Sequence, residues 1–141
     1  MGAQLPTIDS DYANTDLDLL SPVAFDVLDS ELSVSCCQLH YAQLTDGTWS
    51  ASYEANQLNS DALNDIGALL DAIGGLSGLA KSQLAACSKR NFNVGFHCWD
   101  SWGYNYLFPT ALLKLVSNAD FSMSITLYPM RETDGTPKIE L

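Results

Sequence analysis

The sequence predicts an α+β domain: one sheet, mixed and largely antiparallel, with helices over one of its faces. Three observations carry that prediction. Stretches alternating with a period of two are interleaved with stretches of helical period. The alternating stretches keep one polar side, as strands of a sheet covered on one face do. The composition, 47% hydrophobic and 16% charged over 141 residues, is that of a globular chain, and a chain of this size buries roughly two-thirds of its unfolded surface without disulfide or metal staples.

Taken in order, residues 1–14 are polar, contain Pro6 and lack a period, so they read as a flexible arm before a single domain over 15–130. Asp16-Leu17-Asp18-Leu19 alternates as a short edge strand does. Ser21-Pro22 then supplies a helix cap with proline at the first helical position, and Phe25, Leu28 and Leu32 form the buried stripe of that helix. Residues 33–44, SVSCCQLHYAQL, suit a strand, and in the TWSASYE beyond Asp46-Gly47 the residues Trp49, Ala51 and Tyr53 share a face. An Asp-Gly between two such runs predicts a tight hairpin.

From Asn59 the period lengthens: Ala62, Ile66, Leu69, Leu70 and Ile73 mark one side of a helix that Gly74-Gly75 ends. Ser77 caps a second helix carrying Leu79, Ala80, Leu84 and Cys87. Phe92, Val94, Phe96 and Cys98 alternate with Asn93, Gly95 and His97 as a half-buried strand, and after a break at 100–103 a shorter aromatic strand is expected over 104–108. Pro109 stops it, and Thr110 begins a helix bearing Leu112, Leu113 and Val116. Phe121, Met123, Ile125 and Leu127 alternate strictly with Ser122, Ser124, Thr126 and Tyr128 in the final strand, and residues 131–141 are a polar tail. With the helical pair counted as one crossover, the order begins βαββαβ, a ferredoxin-like core with an added αβ unit.

Charge is distributed unevenly. The net charge is -11, and no lysine or arginine precedes Lys81; the first eighty residues hold twelve acids, and the remainder five acids and six bases. Binding to phosphate backbones needs lysine and arginine, so nucleic acid and anionic membranes are excluded as partners, whereas a basic protein is attracted. The start MGAQLPTIDS is not a secretory leader, and Pro6 stands where a myristoylation signal needs serine or threonine. The uncharged run 101–113 is too short for a bilayer. A cytoplasmic location follows, with Cys36, Cys37, Cys87 and Cys98 as reduced thiols; Cys36 and Cys37, adjacent on a strand, point to opposite faces.

Several residue sets invite chemistry. His97, Cys98 and Asp100 are the types of a thiol nucleophile, its base and an orienting acid, but neighbours on a strand face opposite ways. His40 with Cys36 or Cys37, His97 and Cys98 would suit zinc, yet no pair has the spacing that marks such sites, so no metal or cofactor is expected. GLSGLAKS lacks the second glycine of a phosphate loop and follows a helix instead of a strand. Asp9, Asp11, Asp16 and Asp18 lack the glycine and closing glutamate of a calcium loop. The aromatic run remains: seven of the fourteen rings fall within residues 92–108. Trp99, Asp100, Trp102, Tyr104 and Tyr106, flanking a break where the chain reaches the surface, are the candidate partner-binding residues.

The run over 92–129, ending TLYP after a short helix, resembles in its element order small bacterial α+β domain families of unknown function, some of them immunity-type. The likeness covers about the last third of the chain and implies a bacterial, cytoplasmic, non-catalytic domain. Together these readings predict an acidic protein-binding module, an immunity or inhibitor protein for a basic partner. Two rivals stand beside it: a small enzyme using His40, His97 and Asp100 in a pocket beside the sheet, and a structural domain that self-associates as a homodimer.

Overall fold

The computed structural model describes residues 7–57 and 61–139. Within them the chain runs β1 (Asp11–Ser21), α1 (Asp26–Ser35), β2 (Cys36–Gln43), β3 (Trp49–Ala55), α2 (Ala62–Gly74), α3 (Gly78–Ala85), β4 (Lys89–Cys98), α4 (Thr110–Asn118) and β5 (Ser122–Pro129). The strands form one mixed sheet in the order β2-β3-β1-β4-β5. β1 lies antiparallel between β3 and β4, β2 is antiparallel to β3, and β5 is parallel to β4, which it reaches through α4.

Period-two alternation divides the sheet into two unlike faces. Leu17 and Leu19, Ala51 and Tyr53, and Phe92 and Val94 project to one side, where Leu28 and Leu32 of α1, Ile66 and Leu69 of α2, and Leu112 and Val116 of α4 complete the core. Each such side chain contributes about 1.5–3 kcal/mol by leaving water, so this layer holds sheet and helices together. Tyrosine hydroxyls then fix the helices in register: Tyr53 donates to Asp29 at 2.7 Å, Tyr41 to Asp26 at 2.6 Å, and Tyr12 to Asp65.

Local signals explain most element ends. Asp61 caps α2, accepting from the Asn64 N–H at 2.8 Å, and Ser77 caps α3 through the Ala80 N–H at 3.2 Å. The start expected at Asn59 lies outside the described residues. In the β2–β3 hairpin Gly47 has φ +90°, and Asp46 Oδ1 accepts from both the N–H and hydroxyl of Thr48.

Four expectations are corrected. Residues 11–14 are not part of an arm but belong to β1, paired with β4; a bulge between Tyr12 and Asn14 breaks the period there, which hid the strand from an alternation test. Ser21 is not a helix cap: it pairs with Trp49 inside the sheet, and α1 starts at Asp26. Segment 104–108 is not a strand: β5 occupies the position beside β4, and Tyr104 and Tyr106 instead pack their rings against Phe96. Finally, although Phe121 is buried, Ile125 and Leu127 are 54% and 63% exposed, because β5 is the margin of the sheet and the helix layer ends short of it. The tail folds back: Arg131 bridges to Pro137, and the Lys138 N–H donates to the Met130 carbonyl at 2.8 Å.

Candidate functional site

The aromatic segment divides into structural and exposed residues. Trp99 is half-buried under Arg131, whose guanidinium carbon lies 5.3 Å from the ring centre. Asp100 takes two hydrogen bonds from that guanidinium, each 2.8 Å, and one from the Ile8 N–H at 2.9 Å. The hydrogen bonds from Arg131 are the main reason its carboxyl is held down to about 2. Tyr106 stacks on Tyr12 with centroids 5.8 Å apart and accepts the Ala62 N–H at 2.8 Å, so it closes the end of the core over α2. Trp102 is wholly exposed, and Tyr104 is 46% exposed with its ring against Phe96. Of the five candidates, Trp102 and Tyr104 present aromatic surface, and Asp100, though exposed, is committed to Arg131.

The histidines, the thiols and Asp100 do not converge. His40 on β2 bonds to Ser50 at 3.1 Å, while His97 on β4 bonds to Asp11 at 3.1 Å, with β3 and β1 between their strands. Asp100 is committed to Arg131. Cys36 is buried and Cys37 exposed, as the strand alternation requires; burial raises the Cys36 thiol and pushes Cys87 up to about 11, the opposite of activation. Among the described residues no group of histidine, cysteine and acidic side chains could hold a metal ion, and no helix is long and apolar enough to cross a membrane.

What the fold does assemble is the face of the sheet opposite the helices. On its β4–β5 side the amides and hydroxyls form a continuous lattice. Asn91 Nδ2 donates to Ser124 at 2.7 Å, Ser124 donates on to Asn93 at 3.0 Å, Thr126 donates to the same Asn93 oxygen at 2.9 Å, and Ser122 donates to Asn91 at 2.8 Å. On its β1–β3 side stand three carboxylates. Asp18 accepts from Ser52 at 2.6 Å, Asp16 accepts from Asn14 at 3.1 Å, and Glu54 is close enough to act on Asp16 electrostatically. Partial burial first, then the charges of Glu54 and Asp18, push Asp16 up to about 6.

Gly95 lies between the two halves. A Cβ there would meet Asn14 Oδ1 at 2.5 Å and Tyr128 Cε2 at 2.6 Å, so the absence of a side chain lets the Tyr128 ring lie across the strand. Burial raises the Tyr128 hydroxyl, with Asp16, Asp18 and Glu54 adding to the effect. Beyond it a groove of about 500 Å³ is lined by Asn14, His97, Tyr128, Met130 and Lys138. A second cleft, about 570 Å³, lies between α2 and the β2 and β3 ends and includes Asn56, Asn64 and Asp71.

Most other acids of the first half serve the fold. Asp26, Asp29 and Asp65 receive tyrosine hydroxyls, Glu31 accepts the Ser77 N–H at 2.8 Å and its hydroxyl at 2.6 Å, and Asp46 and Asp61 cap a turn and a helix. The acids of the first half therefore divide into acceptors for the chain's own donors, the open-face group of Asp16, Asp18 and Glu54, and three exposed residues elsewhere, Asp9, Asp71 and Asp11, the last beside His97. From the sequence, Asp9, Asp11, Asp16 and Asp18 read only as an incomplete calcium loop. The alternation of Asp16 and Asp18 with two leucines was the available signal, but it does not say which strand lies alongside. No family model, curated protein or solved structure matches the chain.

Proposed function

We propose that this chain is a non-catalytic binding module that receives a cationic protein partner on the open face of its sheet. The observation that carries the reading is the grouping of Asp16, Asp18 and Glu54 on the uncovered face, where partial burial first, and then the mutual repulsion of these carboxylates, raises Asp16 to about 6. An incoming lysine or arginine relieves that repulsion, so the face gains electrostatic energy from a cation. The hydroxyl oxygens of Ser122 and Thr126, whose protons go to Asn91 and Asn93, offer further acceptors. Trp102, exposed in the loop leaving β4 at its His97 end, with Tyr104 beside Phe96, supplies an aromatic rim contact. A bacterial, cytoplasmic inhibitor or immunity role is consistent with the element order of residues 92–129. The rival enzyme reading has less support, since His40, His97 and Asp100 each have a separate partner.

The test is titration with a decalysine peptide at rising salt, comparing two double variants of equal charge change: Asp18→Asn with Glu54→Gln on the face, and Asp9→Asn with Glu132→Gln, whose residues are exposed away from it. Binding should weaken steeply with salt and fall further in the first variant. At pH 6 wild-type binding should also release protons, read as a dependence of the binding heat on the buffer used. Equal losses in the two variants, or salt-independent affinity, refute the assignment.

A further inference from the structure

The two margins of the sheet are not equivalent. β2 forms one, and its pairing with β3 is interrupted by a bulge between Gln38 and His40, a feature that blunts an edge against further pairing. β5 forms the other. Its ladder with β4 runs without a register shift over the eight pairs from Asn91↔Ser122 to Cys98↔Pro129. Among the described residues no charge guards its outer side: residues 121–130, FSMSITLYPM, contain none in a chain of net -11, and Pro129 stands only at the strand's last position. The charged residues bracketing this run are already paired, Asp120 with Arg90 and Arg131 with Asp100.

Apolar surface runs along the same margin. Ile125 and Leu127 are more than half exposed on the helix side, and Leu113 of α4 is 49% exposed. Leu115 lines a cleft with Leu63, Asn64 and Gly67 of α2, which fixes the inner flank of α4. Leu113 lies about 200° from it around the helix, toward the free margin. An unpaired backbone edge thus stands beside an apolar stripe of Leu113, Ile125 and Leu127.

We infer that β5 is a homodimer interface at which a second copy of this chain pairs antiparallel, joining the two sheets into one. The charge distribution selects a second copy as the occupant. Two strongly anionic chains repel except where their facing surfaces are neutral, and this run is neutral along its whole length, with the charges at both its ends already neutralised inside the chain, so a second copy can approach here without repulsion. The geometry is self-consistent. Across such an axis helix-side residues must face helix-side residues, so Ile125 meets either Ile125 or Leu127 of the second copy, and the two α4 helices bring their Leu113 side chains together. This interface is independent of the cation-binding face, which points away from the helices.

Sedimentation of the intact chain across a wide concentration range should show a monomer–dimer equilibrium. Ile125→Lys and Leu127→Lys, both at exposed positions, should each raise the dimer dissociation constant about tenfold or more by placing like charges across the axis. Hydrogen exchange on the unaltered protein locates the contact even if a variant fails to fold. Outward amides of β5 should be protected at high concentration and lose protection on dilution, while those of β2 exchange alike at both. A strict monomer, a dimer indifferent to both lysines, or concentration-dependent protection at β2 in place of β5 overturns the inference.

Discussion

Asp16 offers the most direct measurement of what the open face costs the protein. Its carboxyl ordinarily titrates at 3.8 and is raised to about 6 by partial burial and by Glu54 and Asp18. Between those two values the folded chain keeps a proton that the unfolded chain has lost. Stability must therefore fall as pH rises through that window and level off above it. A shift of this size corresponds to at most about 3 kcal/mol, since tenfold in proton affinity is about 1.4 kcal/mol. Because Asp16 is only half-buried, solvent screening brings the expected effect to about 1 kcal/mol. Asp16→Asn keeps an acceptor for Asn14 and removes the charge. At pH 7.5 it should be about 1 kcal/mol more stable than wild type, which for a chain of 141 residues moves Tm up by about 3 °C. At pH 3.5 the difference should shrink to a small fraction of that, because the wild-type carboxyl is then protonated in the folded state and mostly so in the unfolded one. Urea denaturation and thermal melts at pH 3.5, 5 and 7.5 give the profile. An advantage of equal size at all three values, or a loss of stability at pH 7.5, would refute the claim that ionising Asp16 on this face costs the fold stability.

Two further outcomes follow from particular contacts. Gly95→Ala should destabilise by about 1–3 kcal/mol as its methyl displaces Asn14 and the Tyr128 ring, and Tyr128→Ala should recover part of that loss in a double-mutant cycle, with additive effects arguing against the close approach. Tyr12→Phe should cost about 1–3 kcal/mol by removing a donor from the buried Asp65, whereas Trp102→Ala, at a fully exposed ring, should change stability by less than about 0.5 kcal/mol; chemical denaturation of the two variants side by side measures the contrast.

How far the sequence reaches depends on whether a signal is local. Alternation found the cores of β1, β3, β4 and β5, the Asp46-Gly47 turn marked the hairpin, and the 3.6 period with Ser77 placed α2 and α3. Each of these is decided by residues within a few positions of one another. The same tests misread residues 11–14, where a bulge broke the alternation, and 104–108, where β5 takes the place beside β4 and the alternating aromatics pack on Phe96 instead. Those errors share a cause, because pairing is made by backbone groups and depends on which ladder positions remain free.

By itself the sequence determined the fold class, the two-sided character of the strands, the opposite exposure of Cys36 and Cys37, and the concentration of acids in the first half. Only the tertiary structure decided what those acids do. Asp29 and Asp65 turn inward to tyrosines donated by residues 24 and 53 positions away, while Asp16, Asp18 and Glu54 meet on an open surface because β3 lies beside β1. It likewise separated Trp99 and Tyr106, which brace the structure, from Trp102, which does not, and set the uncharged β5 at the margin. The physical reason is that a side chain's chemistry is its own, whereas its partner, its exposure and the charge it faces come from strand order, and strand order is fixed by contacts distant in sequence.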